Sequence, residues 1–88
     1  IYCKAQSNYA IVKTKDNREI LLSKTLKHLE DILPKSIFCR THKSFLVNLN
    51  YVSSYSRADH MLTLSSNEQL PVSVRKNEQF INAILNKN

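Results

Sequence analysis

Apolar and polar residues in this chain change period along its length, and the changes mark out its elements. In "NYAIVKTKDNREILLS", residues 8–23, two β-rich runs at 9–14 and 18–22 flank Asp16–Asn17, a pair that tolerates positive φ in a tight turn. That reads as a hairpin. "SKTLKHLEDILP", residues 23–34, shifts to helical spacing. Leu26, Leu29 and Leu33 line one face, Ile32 widens it, Ser23 stands where a cap belongs, and Pro34 ends the run. From residue 37 the period drops to two. Residues 37–40, 45–49, 51–55, 61–64 and 69–73 read as five short strands, with a turn in "SSNEQ" (65–69) and a wider one in "SRADH" (56–60). The tail "VRKNEQFINAILN", residues 74–86, returns to helical spacing with Phe80, Ile81, Ile84 and Leu85 on one face and Ser73 placed to cap it. The expected fold is mainly β: an elongated series of small antiparallel sheets, with one short internal helix and a C-terminal helix.

At 88 residues the chain is expected to be a single domain over 1–88, and 42% hydrophobic residues suffice for one modest core. The start, "IYCKAQSNY", lacks the basic-then-apolar pattern of a signal peptide and begins as if in mid-strand, so a longer parent protein is expected. No apolar run approaches the ~18 residues that span a bilayer. Glycine is absent, which excludes a P-loop, a dinucleotide-binding fingerprint and a nucleophile elbow. Cys3 and Cys39 make no disulfide framework and suit buried thiols in a reducing, cytoplasmic compartment. Cys39 and His42 are spaced C-x-x-H, but no second pair stands at ligand spacing, so neither metal nor cofactor is expected.

Charge changes the picture more. Thirteen Lys and Arg oppose seven Asp and Glu, for a formal net charge of +6. Between Asp31 and Asp59 there is no acid, while Lys35, Arg40, Lys43 and Arg57 all fall there. A basic stretch without acidic interruption favours a polyanionic partner. In the segment expected to form the internal helix the charges oppose the macrodipole, with Lys24 and Lys27 early and Glu30 and Asp31 late.

Within that stretch, "FCRTHKSFLVNLN" (38–50) sets a cationic cluster between two apolar segments. In one unbroken strand, Thr41 and Lys43 would share a face with Phe45, Val47 and Leu49. A lysine in that row would carry its ammonium into the core, at a cost of several kcal/mol. The chain is therefore expected to leave the sheet near 41–44, with Lys43 at an exposed tip and Arg40, His42 and Ser44 at its base. Donor-rich side chains on a loop held by buried strands suit phosphate or base-edge recognition.

These residues also carry a family resemblance. "F-x-R-x-H-K-S-F-L-V-N", residues 38–48, resembles the signature of the LytTR family, the DNA-binding output domain of LytR/AlgR-type bacterial response regulators. "IYCKAQSNYAIV" resembles that family's opening strand and loop, "LSKTLKHLEDILP" its short helix with closing proline, and "LPVSVRK" its closing strand and last loop. The resemblance implies consecutive small sheets whose loops enter successive major grooves of duplex DNA, at paired promoter repeats, with bending. It also implies a receiver domain before residue 1 and a domain that is monomeric until it pairs on DNA. By position, base contacts fall to Asn8 and Tyr9, to Lys43 and to Arg75. Arg75 is the best chemical match, because its fork reads guanine through two bonds. Tyr9 offers a hydroxyl and a ring face for reading, or packs. Arg40 and Ser44 are read as phosphate contacts or loop-shaping groups, and His42 as a phosphate contact or a structural hydrogen-bonder. Lys76 and Lys24 complete the phosphate set, and Asn48 caps backbone at a strand turn.

Three other readings fit less well. "KSFLVNL" echoes the aromatic strand of an RNA recognition motif, but Ser44 and Leu46 occupy its small positions and the βαββαβ order is missing. His42 and Ser44 as base and nucleophile have no orienting acid nearby, so an enzyme is not expected. A protein-interaction module would use Tyr51 and Tyr55 as contact aromatics.

Overall fold

The structure, a computed structural model, describes residues 1–85. Among them the chain forms β1 (Tyr2–Gln6), β2 (Tyr9–Lys13), β3 (Glu19–Leu22), α1 (Leu26–Ile32), β4 (Phe38–His42) and β5 (Phe45–Asn48). Beyond these lie β6 (Val52–Ser56), β7 (Met61–Leu64), β8 (Gln69–Pro71) and α2 (Asn77–Leu85). Two 3-10 turns, Leu49–Tyr51 and Val74–Lys76, link β5 to β6 and lead into α2. All strand pairs are antiparallel, in one five-strand sheet ordered β3-β2-β1-β5-β4 and one three-strand sheet ordered β6-β7-β8. The molecule measures 33 × 25 × 25 Å, and the expected mainly β architecture with an internal and a C-terminal helix is present.

Strand alternation divides the core in two. Neighbouring residues of β5 point to opposite faces of the five-strand sheet. Leu46 joins Cys3, Ala10 and the α1 residues Leu26 and Leu29. Val47 joins Cys39, the inward residues Leu62, Leu64 and Leu70 of the second sheet, and Phe80 of α2. The five-strand sheet is thus covered by α1 on one face and by the second sheet and α2 on the other.

With no glycine available, the chain makes its left-handed turn positions from other residues. Asn17 has φ 67° and Asn67 has φ 72°, while Ser7 and His60 each have φ 53°. The two asparagines close matching loops. The Asn17 N–H donates to the Thr14 carbonyl at 3.1 Å and the Asn67 N–H to the Leu64 carbonyl at 2.8 Å. Asparagine is among the residues that tolerate this region best. Asp16, expected to share positive φ with Asn17, does not adopt it.

Several local expectations are corrected. Thr25, not Ser23, caps α1: its hydroxyl accepts from the His28 N–H at 3.1 Å. Ile32 is 62% exposed and does not widen the apolar face, because it lies about 60° beyond Leu29 around the helix axis. Leu85 is 73% exposed, so the buried face of α2 rests on Phe80, with Ile81 and Ile84 half-buried. Asn86, the last residue of the stretch read as the tail helix, lies outside the described residues. Ser73 does cap, accepting from the Lys76 N–H at 3.2 Å at the start of the 3-10 turn that enters α2. Asn48 caps the turn after β5, accepting from the Asn50 N–H at 2.9 Å.

The parity conflict at Thr41 is resolved by a bulge rather than by an early exit from the sheet. Arg40 pairs with Leu46 and His42 with Phe45, with the irregularity falling between Arg40 and His42. The extra residue re-aims the side chains beyond it. Thr41 stays in the strand, fully buried, its Oγ1 without a hydrogen-bond partner among the described residues. Lys43 and Ser44 form the turn, and Lys43 is exposed.

Candidate nucleic-acid interface

Register places most of the expected contact residues at one end of the five-strand sheet. Lys4 of β1 lies opposite Phe45 of β5, and the Ala5 N–H donates to the Ser44 carbonyl at 2.9 Å. The Ser7–Asn8 loop, closed by the Gln6–Tyr9 pair, therefore emerges beside the Lys43–Ser44 turn. Leu22 lies opposite Ala10, so the chain leading to Lys24 leaves the sheet at the same end. Arg75 and Lys76 arrive by a different route. The Ser73 N–H donates to the Thr41 carbonyl at 2.8 Å, which ties the 3-10 turn to the bulge in β4. The result is a cleft of about 400 Å³. Arg40, His42, Lys43, Arg75 and Lys76 line it together with Glu30 and Ser73. Asn8, Tyr9, Lys24 and Ser44 stand outside its lining.

The cations of the cleft are used unequally. Lys43, Arg75 and Lys76 have no ion-pair partner among the described residues. Arg40 is engaged with protein through each of its three guanidinium nitrogens. Its Nε donates to the His42 carbonyl at 3.0 Å, Nη2 to the Lys43 carbonyl at 2.7 Å and Nη1 to Glu30 Oε1 at 2.9 Å. His42 Nδ1 accepts from the Ser44 N–H at 3.1 Å, which leaves Nε2 to carry the ring proton of the neutral imidazole. The ring also lies 5.9 Å from Phe45, centroid to centroid. Arg40 and His42 thus both bond to the backbone of the turn that carries Lys43. Tyr9 is 45% exposed at the sheet end, so its ring is a surface feature rather than core packing.

Glu30 is the residue that sequence reasoning missed. Its late position in a short helix, against the macrodipole, was the available signal. Its pairing with Arg40 depends on which face of α1 lies over β4. The aromatics considered for an interaction module have packing roles. Tyr51 packs against the core, and Tyr55 meets Phe80 edge-on at 4.9 Å while its hydroxyl donates to Asn77. Cys3 and Cys39 are buried free thiols in separate cores, and burial pushes both thiols up, away from nucleophilic thiolate.

Comparison with known proteins identifies the family of this fold. The family model described as LytTR, the LytTr DNA-binding domain, matches residues 1–85. The sensory transduction protein LytT of Bacillus subtilis (strain 168) is 33% identical over 76 residues, covering 83% of this chain and 31% of that protein. The chain therefore spans about a third of the length of that relative. A solved LytTr DNA-binding domain of a putative methyl-accepting/DNA response regulator from Bacillus cereus superposes with a TM-score of 0.81 at 26% identity, covering 98% of this chain and 80% of the other. By fold, by motif order and by this match over all its described residues, the chain belongs to the LytTR family of DNA-binding domains.

Proposed function

We propose that this chain binds duplex DNA sequence-specifically, by inserting its turns into successive major grooves, as the output domain of a bacterial transcriptional regulator. The observation that carries this reading is the convergence of Lys43, Arg75 and Lys76, without ion-pair partners among the described residues, in one cleft whose lining acid, Glu30, is already held by Arg40. Lys43 and Arg75 read base edges there, with Asn8 and Tyr9 as a third point of contact. Lys76, Lys24 and Ser44 meet phosphates, while Arg40 and His42 keep the turn in shape. Loops suit this task better than helices here, because α1 and α2 are committed to the cores through Leu26, Leu29 and Phe80. A relative that is a sensory transduction protein about three times as long supports a receiver domain elsewhere in the parent chain, and a DNA-binding output domain of this kind works in the cytoplasm. The domain is monomeric alone and pairs on repeated sites.

Selection of bound duplexes from a random pool tests specificity, and titration of the selected duplex tests mechanism. The logarithm of affinity should fall linearly with log salt, with a slope of about −0.9 for each phosphate neutralised and several units in total. Single strands of the same sequence should bind more weakly. No enriched sequence together with a slope near zero would remove the DNA reading.

A further inference from the structure

We propose that Glu30 is a positioning residue for DNA recognition: from α1 it holds Arg40 so that the guanidinium fixes the Lys43 turn, and this clamp, without touching DNA, sets how well the domain tells one sequence from another. The inference rests on the proposed function, in which Lys43 meets base edges.

A carboxylate inside a cationic cleft that faces a polyanion works against binding, so its presence requires a compensating role. Glu30 also stands in the last turn of α1, where a negative charge opposes the helix dipole. What it gains is Arg40. The two side chains are 28% and 17% exposed and meet at 2.9 Å. The other two donors of the same planar fork reach the consecutive carbonyls of His42 and Lys43. With three of its nitrogens engaged, the guanidinium lies across the base of the turn and has one orientation. The opposite side of the turn is held by the Ala5 N–H on the Ser44 carbonyl, and its interior by the Ser44 N–H on His42 Nδ1. Lys43 thus projects from a turn anchored by α1, β1 and β4. A base-edge contact needs such a platform, because small displacements are costly to directional bonds, whereas a phosphate contact by a point charge tolerates them.

The rival is that Arg40 is a phosphate contact which Glu30 merely neutralises in the free domain. Glu30→Ala and Glu30→Gln separate the two, measured beside the wild type on selected and scrambled duplexes at two salt concentrations. For the clamp, the ratio of selected to scrambled affinity falls about fivefold in Glu30→Ala and less in Glu30→Gln, whose carbonyl still accepts one bond from Arg40. The salt slope stays the same. Arg40→Lys loses discrimination too, although its charge is retained. Amide exchange in the free domain speeds up at Ser44 and Ala5 and stays unchanged at Thr14 and Asn17, on the far hairpin. The clamp is overturned if both Glu30 variants bind the two duplexes more tightly and equally so, with a slope about one unit steeper. It is also overturned if ratio and exchange both stay at wild-type values. A wild type that selects no sequence would sink the functional reading instead, and the exchange comparison, made without DNA, would still decide whether Glu30 holds the turn.

Discussion

Arg75 and Lys43 carry the same charge into the same cleft, yet their chemistry differs. A guanidinium makes two parallel bonds to guanine O6 and N7, and guanine alone presents that pair of acceptors. An ammonium is a compact charge that phosphate, guanine and water satisfy about equally. Arg75→Ala is therefore expected to cost about 1–3 kcal/mol on the selected duplex and much less on a scrambled one, flattening preference at one base pair. Lys43→Ala should also lose more affinity on the selected duplex than on the scrambled one, by a smaller margin than Arg75→Ala, and should reduce the salt slope by about one unit. Equal losses on both duplexes for Arg75→Ala would demote it to a phosphate contact. The sequence pattern pointed to an exposed Lys43, and the family resemblance pointed to Arg75; the structure brings both into one cleft. The service of Arg40 was not legible in the sequence, because its partners are two main-chain carbonyls and a carboxylate ten residues earlier on a different element.

At the scale of elements, the helix α1 shows how a cap is chosen. Ser23 and Thr25 are both capping types, two residues apart. Ser23 directly follows Leu22, which is still paired with Ala10 in the sheet, so the chain cannot turn into a helix there. Thr25 is extended, with φ −84° and ψ 161°, and its hydroxyl reaches the His28 N–H. Thr25→Ala should cost about 1 kcal/mol in urea unfolding, whereas Ser23→Ala should stay within about 0.5 kcal/mol of wild type. Similar losses for the two would mean that the cap contributes nothing beyond a surface hydroxyl. A loosened α1 also reaches the interface, because Glu30 rides on it.

Across the whole molecule, the two sheets are joined by a bond between distant residues. The Tyr2 hydroxyl on β1 donates to Glu68 Oε2, just before β8, at 2.8 Å. Burial foremost, and then the bond to Glu68, pushes the Tyr2 hydroxyl up. Burial works against the Glu68 carboxylate, but the bonds from Tyr2 and Ser66, together with nearby positive charge, outweigh it and hold the group below the usual carboxylate range. A depressed carboxylate contributes stability above its unfolded value, and that stability is lost as pH falls through the folded one. The melting temperature should therefore fall between about pH 6 and about pH 3, and fall less in Tyr2→Phe, which keeps the ring and removes the donor. An identical acid loss in the two proteins would show that this bond does not couple the sheets. Assembly is the other property of this scale. Neither helix offers a heptad seam, so sedimentation at micromolar concentration without DNA should give the mass of one chain. A dimer there would count against pairing only on DNA, and would point to the edge strand β3, where Ile20 and Leu21 are exposed.

Periods of two and 3.6, the proline that ends α1, the asparagines in the hairpin turns and the basic cluster between apolar runs are all set by neighbours within a few residues. They were readable along the chain, and they sufficed for a mainly β domain with a cationic turn near Lys43. Sheet order was not so encoded. That β1 lies between β2 and β5, bringing the Asn8 loop beside the Lys43 turn, depends on pairing between segments far apart in the chain. The same holds for the bulge at Thr41. Parity along the strand correctly forbade a continuous ladder, but whether the chain left the sheet or took an extra residue depended on the space beside β4. There the Ser73 N–H meets the Thr41 carbonyl, and a buried backbone acceptor needs such a donor. Local periodicity specifies which residues face inward; the pairing of distant backbone groups specifies which of the outward ones meet.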